Sequence, residues 1–543
     1  MKSIQSNKKN IRTKKLDIEA LDADFCGIAH MKGKTYRVRN TLPQERIETE
    51  LPMLKSKDRE KEYIYTPSRI ISASPDRVDI PCPYANVCGN CNLLHCSYDA
   101  QKRIKVQRFD DDLKEAGIKA DNFISSSQFE YRNKVHLAFS ESGRQTVVGF
   151  FNEENHNVIP VKECLLHGEW FKKLAAILTK WASENHITAF KPWAQTGVLR
   201  FAVCRHFNNN IMVTIVAREN IRFMDKLYSA LEKAFDEVSL YLNINTQNNS
   251  KVFSDKFIFI NGKRKLHGNI LGIDFYLSPN SFFQVNEEIA SEIYSAVLEK
   301  ISSLNADRIV DAYSGIGITS LLFASRGYNV TSIEIVPKAV DDAKELAELN
   351  NLKDNIKFIC GDCNNILPKL DVTENTVFFV DPPRKGLGKN VSESIIKFKP
   401  KHIIYLSCDP TSLGCDLMLL QKGGYSVQST VLFDMFPNTK HVETVCLLSK
   451  LNAKQHIEIN LDMDELDLTD AEKKATYQEI KDYVLEHSGL KVSSLYIAQV
   501  KQKCGIIERE NYNKPKSEDA KQPQCPPDKE KAIKEALKHF GMI

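Results

Sequence analysis

The run DRIVDAYSGIGITS, residues 307–320, joins a β-type segment to a helical one through two closely spaced glycines, Gly315 and Gly317. Absent side chains at such a turn let the backbone approach a bound ligand and let a helix begin directly after a strand. The third glycine of the dinucleotide fingerprint is missing, so the motif alone fits a ligand site and a plain strand-to-helix turn equally well. Its surroundings carry the argument further. From about residue 286 to 450 the chain alternates NVTSIE, PKAVDDAKELAELN, IKFIC, TVFFVD, HIIYLS and TSLGCDLMLLQ. That rhythm predicts a doubly wound, largely parallel Rossmann-like sheet. The last two runs, YSVQSTVLFDMF and ETVCLLSK, are separated only by PNTKHV, which predicts an antiparallel pair at one edge.

In open α/β sheets ligands bind at the carboxyl ends of the strands, so the residues there are the candidate site. Glu334 ends the second strand, where an acid takes ribose hydroxyls. Asp362, in CGDCNN, ends the third and suits an adenine amine; Asp381 opens DPPRKG at the end of the fourth, whose paired prolines hold a rigid turn. Cys408 ends the fifth, followed by Asp409 as N-cap and Pro410 at the first helical position. A thiol at a helix N-terminus is expected to have a lowered pKa and nucleophilic character. Cys360, Cys415 and Cys446 read as small buried hydrophobes, and Cys360 with Cys363 lacks the setting of a redox pair.

The chain has 543 residues, 42% of them hydrophobic, which implies several domains. No apolar run reaches membrane-span length and the N-terminus is charged, so a cytoplasmic, membrane-free protein is expected. Net charge is only +4, but residues 1–16 form a basic arm suited to phosphates. Alternating runs such as TYRVRN and RIETELP predict a small β-barrel over 17–76. Residues 77–285 read as a mixed, mostly antiparallel central domain, with helices near 98–116 and 168–185. Residues 451–543 open with the acidic IEINLDMDELDLTDAE and continue as a linker with a small helical appendage.

Together SPNSFFQVN, DAYSGIG, DPPRKG, SCDPTSL and MFPNTKHVETV resemble the S-adenosylmethionine-dependent RNA uracil-C5 methyltransferase family, over residues 17 to about 449. The resemblance implies that Gln284, Tyr313, Glu334, Asp362 and Asp381 bind the donor, that Cys408 is the nucleophile and that Glu443 is the general base. The chemistry suits those residue types. Uracil C5 is a poor nucleophile until a thiolate adds at C6, and a base must then take the C5 proton so that the thiol can leave. The sequence departs from the family at Asp409, where many members have Asn, and at Ile318, where some carry a polar group. The barrel resembles the OB-like TRAM module, and the helix near 98–116 is implied to join the catalytic domain.

Fourteen cysteines in a long chain point to metal, catalysis or packing rather than disulfides. CPYANVCGNC brings Cys82, Cys88 and Cys91 into one short loop, with Cys96 just beyond, a set that zinc or an iron–sulfur cluster would satisfy. The resemblance favours [4Fe-4S], with Cys164 as fourth ligand and Cys96 as its rival. RNA is the implied partner, 23S rRNA favoured and tRNA the alternative, with a monomer expected. Arg37, Arg39, Tyr131, Arg132, Lys134, Arg200, Phe282 and Phe283 are candidate RNA contacts, since a target base must be turned out of its stack. LKVSSLYIAQVKQKCG in the appendage suggests a helix-turn-helix-like RNA contact. Two rivals stay open: a methyltransferase for exocyclic base amines, and a non-enzymatic iron–sulfur RNA-binding protein.

Overall fold

Eight strands build the sheet that the glycine-containing run foreshadows, in the order Ile356–Cys360, Asn329–Glu334, Arg308–Ala312, Thr376–Val380, His402–Ser407, Glu443–Lys450, Tyr425–Phe433, Asn122–Ile124. Only Glu443–Lys450 runs antiparallel to its neighbours. The computed structural model describes residues 11–52, 63–85, 87–152, 157–247, 251–370, 372–373, 375–451, 477–504 and 525–540.

Strands covered on both faces read as continuous apolar runs, as in the wholly buried Thr376–Val380. Alternate side chains feed two cores. Ile309, Phe379, Ile404 and Leu406 pack with the helices Glu287–Ser302 and Ile318–Ser325. Val310, Phe378, Val380 and Tyr405 pack with Gly388–Phe398 and Pro410–Lys422 on the other side.

Two remote segments complete these cores. The helix Tyr98–Asp112 contributes Phe109, and Asn122–Ile124 pairs in parallel with Tyr425–Phe433 beyond the antiparallel pair. The hairpin of Leu266–Ile270 and Ile273–Leu277 buries Phe275 and Leu277 in the opposite core. Residues 77–285 are therefore not one continuous central domain: the apolar faces at both of its ends are buried in the catalytic layer.

The central sheet runs in the order Val158–Pro160, Gln145–Phe151, Lys134–Ser142, Leu199–Phe207, Asn210–Ala217, Val238–Ile244, Phe257–Gly262. Its one parallel pairing joins Asn210–Ala217 to Val238–Ile244. The helices Glu169–Glu184 and Met224–Leu231 share a core with one face of it.

At the N-terminus a three-stranded sheet (Ile11–Asp17, Arg46–Pro52, Pro67–Ser72) and a four-stranded one (Ala20–Leu21, Gly27–Met31, Lys34–Val38, Ile64–Tyr65) share Leu16, Ile18, Ala29, Val38 and Ile47 as a core. The first strand begins at Ile11, so Lys14 and Lys15 sit in a ladder with Thr49 and Glu48 rather than on a free arm. Residues 1–10 lie outside the described residues.

Residues 455–543 form a separate unit. Its helices Tyr477–Ser488, Ser494–Lys503 and Pro527–His539 enclose Ile480, Val484, Ile497, Val500, Ile533 and Leu537. The acidic stretch 457–472 lies outside the described residues. Among the described residues no helix is long and apolar enough to cross a membrane.

Candidate active site

The carboxyl edge of the parallel sheet gathers the predicted residues strand by strand. After Arg308–Ala312 the chain turns through Tyr313, Gly315 and Gly317, all with positive φ (68°, 56° and 83°). Gly317 then caps Ile318–Ser325, and a Cβ there would lie 3.0 Å from that of Ala343, so close helix packing needs the glycine. Glu334 Oε2 accepts from the Gly315 amide at 3.0 Å and Oε1 from Val336 at 2.8 Å. Glu334 thus ties the loop to the second strand while staying only half-buried. Asp362, next door, caps its own short helix by accepting from the Asn364 amide at 2.9 Å.

Beneath the loop lies Asp311, an acid of the opening motif that sequence reasoning left without a role. It accepts from Thr319 Oγ1 at 2.6 Å and Ser320 Oγ at 2.5 Å, and burial raises its pKa to about 6. Gln284 holds the neighbouring segment through its carbonyl, which accepts from Asn133 Nδ2 at 3.1 Å.

Cys408 and Glu443 meet because their strands pair. Ser407 is opposite Thr444 in the antiparallel ladder, and the next residues outward are Cys408 and Glu443. Burial raises the Glu443 carboxyl to about 8, helped by Asp381 and opposed by Arg384. Burial likewise raises Asp381 to about 7, with Asp311 adding to it. The Cys408 thiol is pushed up to about 11 by burial, then by Glu443 and Asp381, with Arg384 opposing. This reverses the expected lowering. Asp409 already accepts from the Ser412 amide at 2.9 Å at the helix N-terminus, and its own negative charge acts against a thiolate. The Tyr294 hydroxyl is raised by burial and then by the charges of Asp381, Asp311 and Glu443.

The turn carrying Asp381 and Arg384 is pinned from the next helix. Asp416 accepts from the Leu387 amide at 2.7 Å, the Gly388 amide at 3.2 Å and Tyr405 Oη at 2.7 Å. Gly386, at φ 77°, passes so close to Asp416 that any Cβ would collide with the carboxylate.

The loop before Glu443 is held still more tightly. Lys105 donates to Asp434 at 2.6 Å, both side chains fully buried, and to the Phe436 carbonyl at 3.1 Å. Buried Asn438 accepts at its carbonyl from the Asn92 and Leu93 amides, both at 3.0 Å. Its amide donates to Gln101 Oε1 at 3.0 Å, and its side chain exchanges bonds with Gln128 of 2.7 and 2.9 Å. Burial and nearby cations keep His441 neutral, at about 4. Sequence reasoning overlooked Tyr294, Arg384, Asp416, Asn438 and His441; only Arg384, Asn438 and His441 lay in motifs already singled out.

Cys82, Cys88, Cys91 and Cys164 line one cavity of about 230 Å³ with Arg132 and His167. Cys96 is elsewhere, buried against Leu42 and Ala100. Among the described residues no three His, Cys, Asp or Glu side chains are already drawn together as a metal-holding group. Cys91 and Cys164 are nonetheless both raised by burial and by the other thiols of the cavity. Two sequence readings fail here: Cys360 and Cys415 are exposed, at a strand end and on a helix surface, whereas Cys446 is buried.

Several candidate RNA contacts are committed internally. Arg37 pairs with Asp22 at 2.6 Å and Asp24 at 2.9 Å; Tyr131 is buried and donates to the Pro437 carbonyl at 3.1 Å. Lys134 is lowered to about 8 by burial, and Phe283 is core. Phe282, 69% exposed beside Gln284, is open to a ligand.

A glycine turn, strand-end acids and a switch point at the carboxyl edge of a parallel sheet define a doubly wound α/β protein with a site for a nucleotide-type ligand. Residues 97–451 match the family model described as tRNA (Uracil-5-)-methyltransferase. An RNA methyltransferase of Halalkalibacterium halodurans is 34% identical over 80% of this chain and 96% of its own length. One of Caldanaerobacter subterraneus is 33% identical over 80% of this chain and 98% of its own. The solved Pyrococcus abyssi tRNA (uracil-54, C5)-methyltransferase, in complex with S-adenosyl-L-homocysteine, superposes with a TM-score of 0.66 at 26% identity, covering 80% of this chain and 99% of that one. The chain belongs to the RNA uracil-C5 methyltransferase family and is an S-adenosylmethionine-dependent enzyme of that class.

Proposed function

We propose that this enzyme methylates a uridine of 23S rRNA at C5, with Cys408 as nucleophile and Glu443 as general base. The observation that carries the roles is that Cys408 and Glu443 each follow the last rung of the ladder, Ser407–Thr444, and that each is acted on by the charges of Asp381 and Arg384. Gln284, Tyr313, Glu334, Asp362 and Asp381 would hold the donor, which when bound supplies an electrophilic methyl group. Cys408 would lose its proton to solvent and its sulfur would bond to uracil C6 as the C5–C6 π electrons shift toward C5 and O4; C5 would then take the methyl as its bond to the donor sulfur breaks and S-adenosylhomocysteine leaves. Glu443 then removes the C5 proton, and those electrons restore the C5–C6 double bond as the C–S bond breaks. A carboxyl raised to about 8 is a stronger base than an ordinary glutamate, which suits that removal. Arg384 is the cation that favours ionisation of both groups.

Cys82, Cys88, Cys91 and Cys164 would hold a [4Fe-4S] cluster. Their common cavity supports this, as does His167, whose buried Nδ1 lacks a hydrogen-bond partner among the described residues. The N-terminal β-module would act as an OB-like TRAM domain. Transfer RNA is the second reading, favoured by the likeness to the Pyrococcus abyssi enzyme. RNA containing 5-fluorouridine tests the chemistry: the wild type should form a stable protein–RNA adduct and Cys408→Ala none. Full methylation by Cys408→Ala would sink the covalent route. Mapping 5-methyluridine in cells with and without the gene tests the substrate, and loss confined to tRNA would overturn the rRNA choice.

A further inference from the structure

One face of the central sheet is covered by helices; on the other, among the described residues, Phe151 stays exposed beside the buried Ala138. Gly149, Ala138 and Phe201 line up across three adjacent strands, with Phe151 two residues beyond Gly149. Strand alternation turns these side chains away from the core formed by Leu137, Val148 and Ala202. Phe151 is 48% exposed and Trp193, on the adjoining loop, 81% exposed, and both border a cleft of about 570 Å³. Large apolar rings left so open on a sheet point to a ligand that covers them.

The surrounding charge favours a polyanion with flat apolar faces. Arg200 lies 5.6 Å from the Phe201 ring centroid, one of its terminal nitrogens donating to the Asn245 and Gln247 carbonyls at 3.0 and 2.9 Å, and outside the cleft Arg218 lies 4.5 Å from the Phe190 ring centroid. Lys191 also lines the cleft, paired with Glu141, the one acid of its wall among the described residues. The strand under the floor leads toward the candidate active site. Four residues along the strand from Phe201, on the same face, Arg205 donates to the Ser281 carbonyl at 2.9 Å, in the segment that carries Phe282 and Gln284.

We propose that this face is a stacking platform for single-stranded RNA flanking the target uridine, with Trp193 and Phe151 as base-stacking residues and Arg200 and Lys191 beside the phosphates. It rests on the reading of the enzyme as an RNA methyltransferase. Stacking is sequence-tolerant and adds affinity for each base covered, so the platform extends the footprint without choosing the uridine.

The test is fluorescence anisotropy at fixed salt with the full chain and two labelled uridine-containing single strands, one of about four nucleotides and one several times longer. Trp193→Ala combined with Phe151→Ala should weaken long-strand binding about tenfold or more, leave the short strand unchanged and raise KM only for the long one. Trp193→Phe should restore most of the loss. A matching melting temperature shows that the double variant is folded. Equal long-strand affinity in variant and wild type overturns the platform while leaving methyl transfer intact. A wild type that binds RNA through these residues but never methylates it sinks the enzymatic reading instead. Loss of binding to both strands alike, or a protein ligand displaced by the same substitutions without change in RNA affinity, also overturns the platform.

Discussion

Replacing Glu443 by Gln removes a charge from beside Cys408 with little change in shape. The thiol stands at about 11 against a usual 9.0, with burial the largest cause and Glu443 the next. Of that gap of about two pH units, at most about one belongs to Glu443, equivalent to about 1.4 kcal/mol. At pH 9 the wild-type carboxylate is ionised, because its own pKa is about 8. The variant should then carry up to about tenfold more Cys408 thiolate. Nucleophilicity falls as thiol pKa falls, with a slope near 0.4–0.5, so the net gain in alkylation rate is about threefold. Mass spectrometry of the Cys408 peptide during iodoacetamide treatment reads this rate apart from the other thiols. The same variant should stall methyl transfer and retain a covalent RNA complex. Slower or unchanged alkylation of Cys408 in Glu443→Gln at pH 9 would refute the electrostatic link between the two residues.

Linkage gives a second result for the same variant. A raised folded pKa means that the Glu443 contribution is fully present below about 4.5 and is lost as pH rises through about 8. Glu443→Gln should therefore raise the melting temperature at pH 9 and give little gain at pH 4. Lys105→Met should cost about 3–5 kcal/mol in denaturant unfolding, since it strands buried Asp434; adding Asp434→Leu should recover much of it. If the proposed cluster is held by Cys164, the anaerobically purified wild type should contain iron and sulfide, Cys164→Ser should lose both and Cys96→Ser should keep them. Asn438→Ala should lower both stability and turnover, because the loop leading to Glu443 loses its ties to Gln101 and Gln128, and calorimetry beside methylation rates would show it.

The parallel sheet was legible because each of its strands is a short apolar run ending in an acid, a glycine turn or Cys408. The approach of Cys408 to Glu443 was legible only as motif resemblance, since it arises from an antiparallel register that no local pattern encodes. The direction of the thiol's pKa was misread. A helix N-terminus offers a local benefit, but burial and neighbouring acids from other strands outweigh it. Arg37 looked like an RNA contact because Asp22 and Asp24, its partners, come from elsewhere in the same small sheet module. Asp416 gave no signal at all: its work is to accept from amides of a loop 28 and 29 residues earlier.

The long-range ties around Asp434 and Asn438 bear on how the molecule is made. Asp121 accepts from the Thr430 amide 309 residues later, and Gln101 meets Asn438 across 337. Closing such large loops is entropically costly and slow. During synthesis Ala100 can pack early on Leu42, but Phe109 and the strand Asn122–Ile124 must wait for their partners until nearly the whole catalytic layer has left the ribosome, while the inserted central sheet is free to fold first. Truncation anywhere before residue 430 thus leaves Phe109 of the helix Tyr98–Asp112 without its core and the Cys408 strand without its antiparallel neighbour, so the layer closes late and all at once.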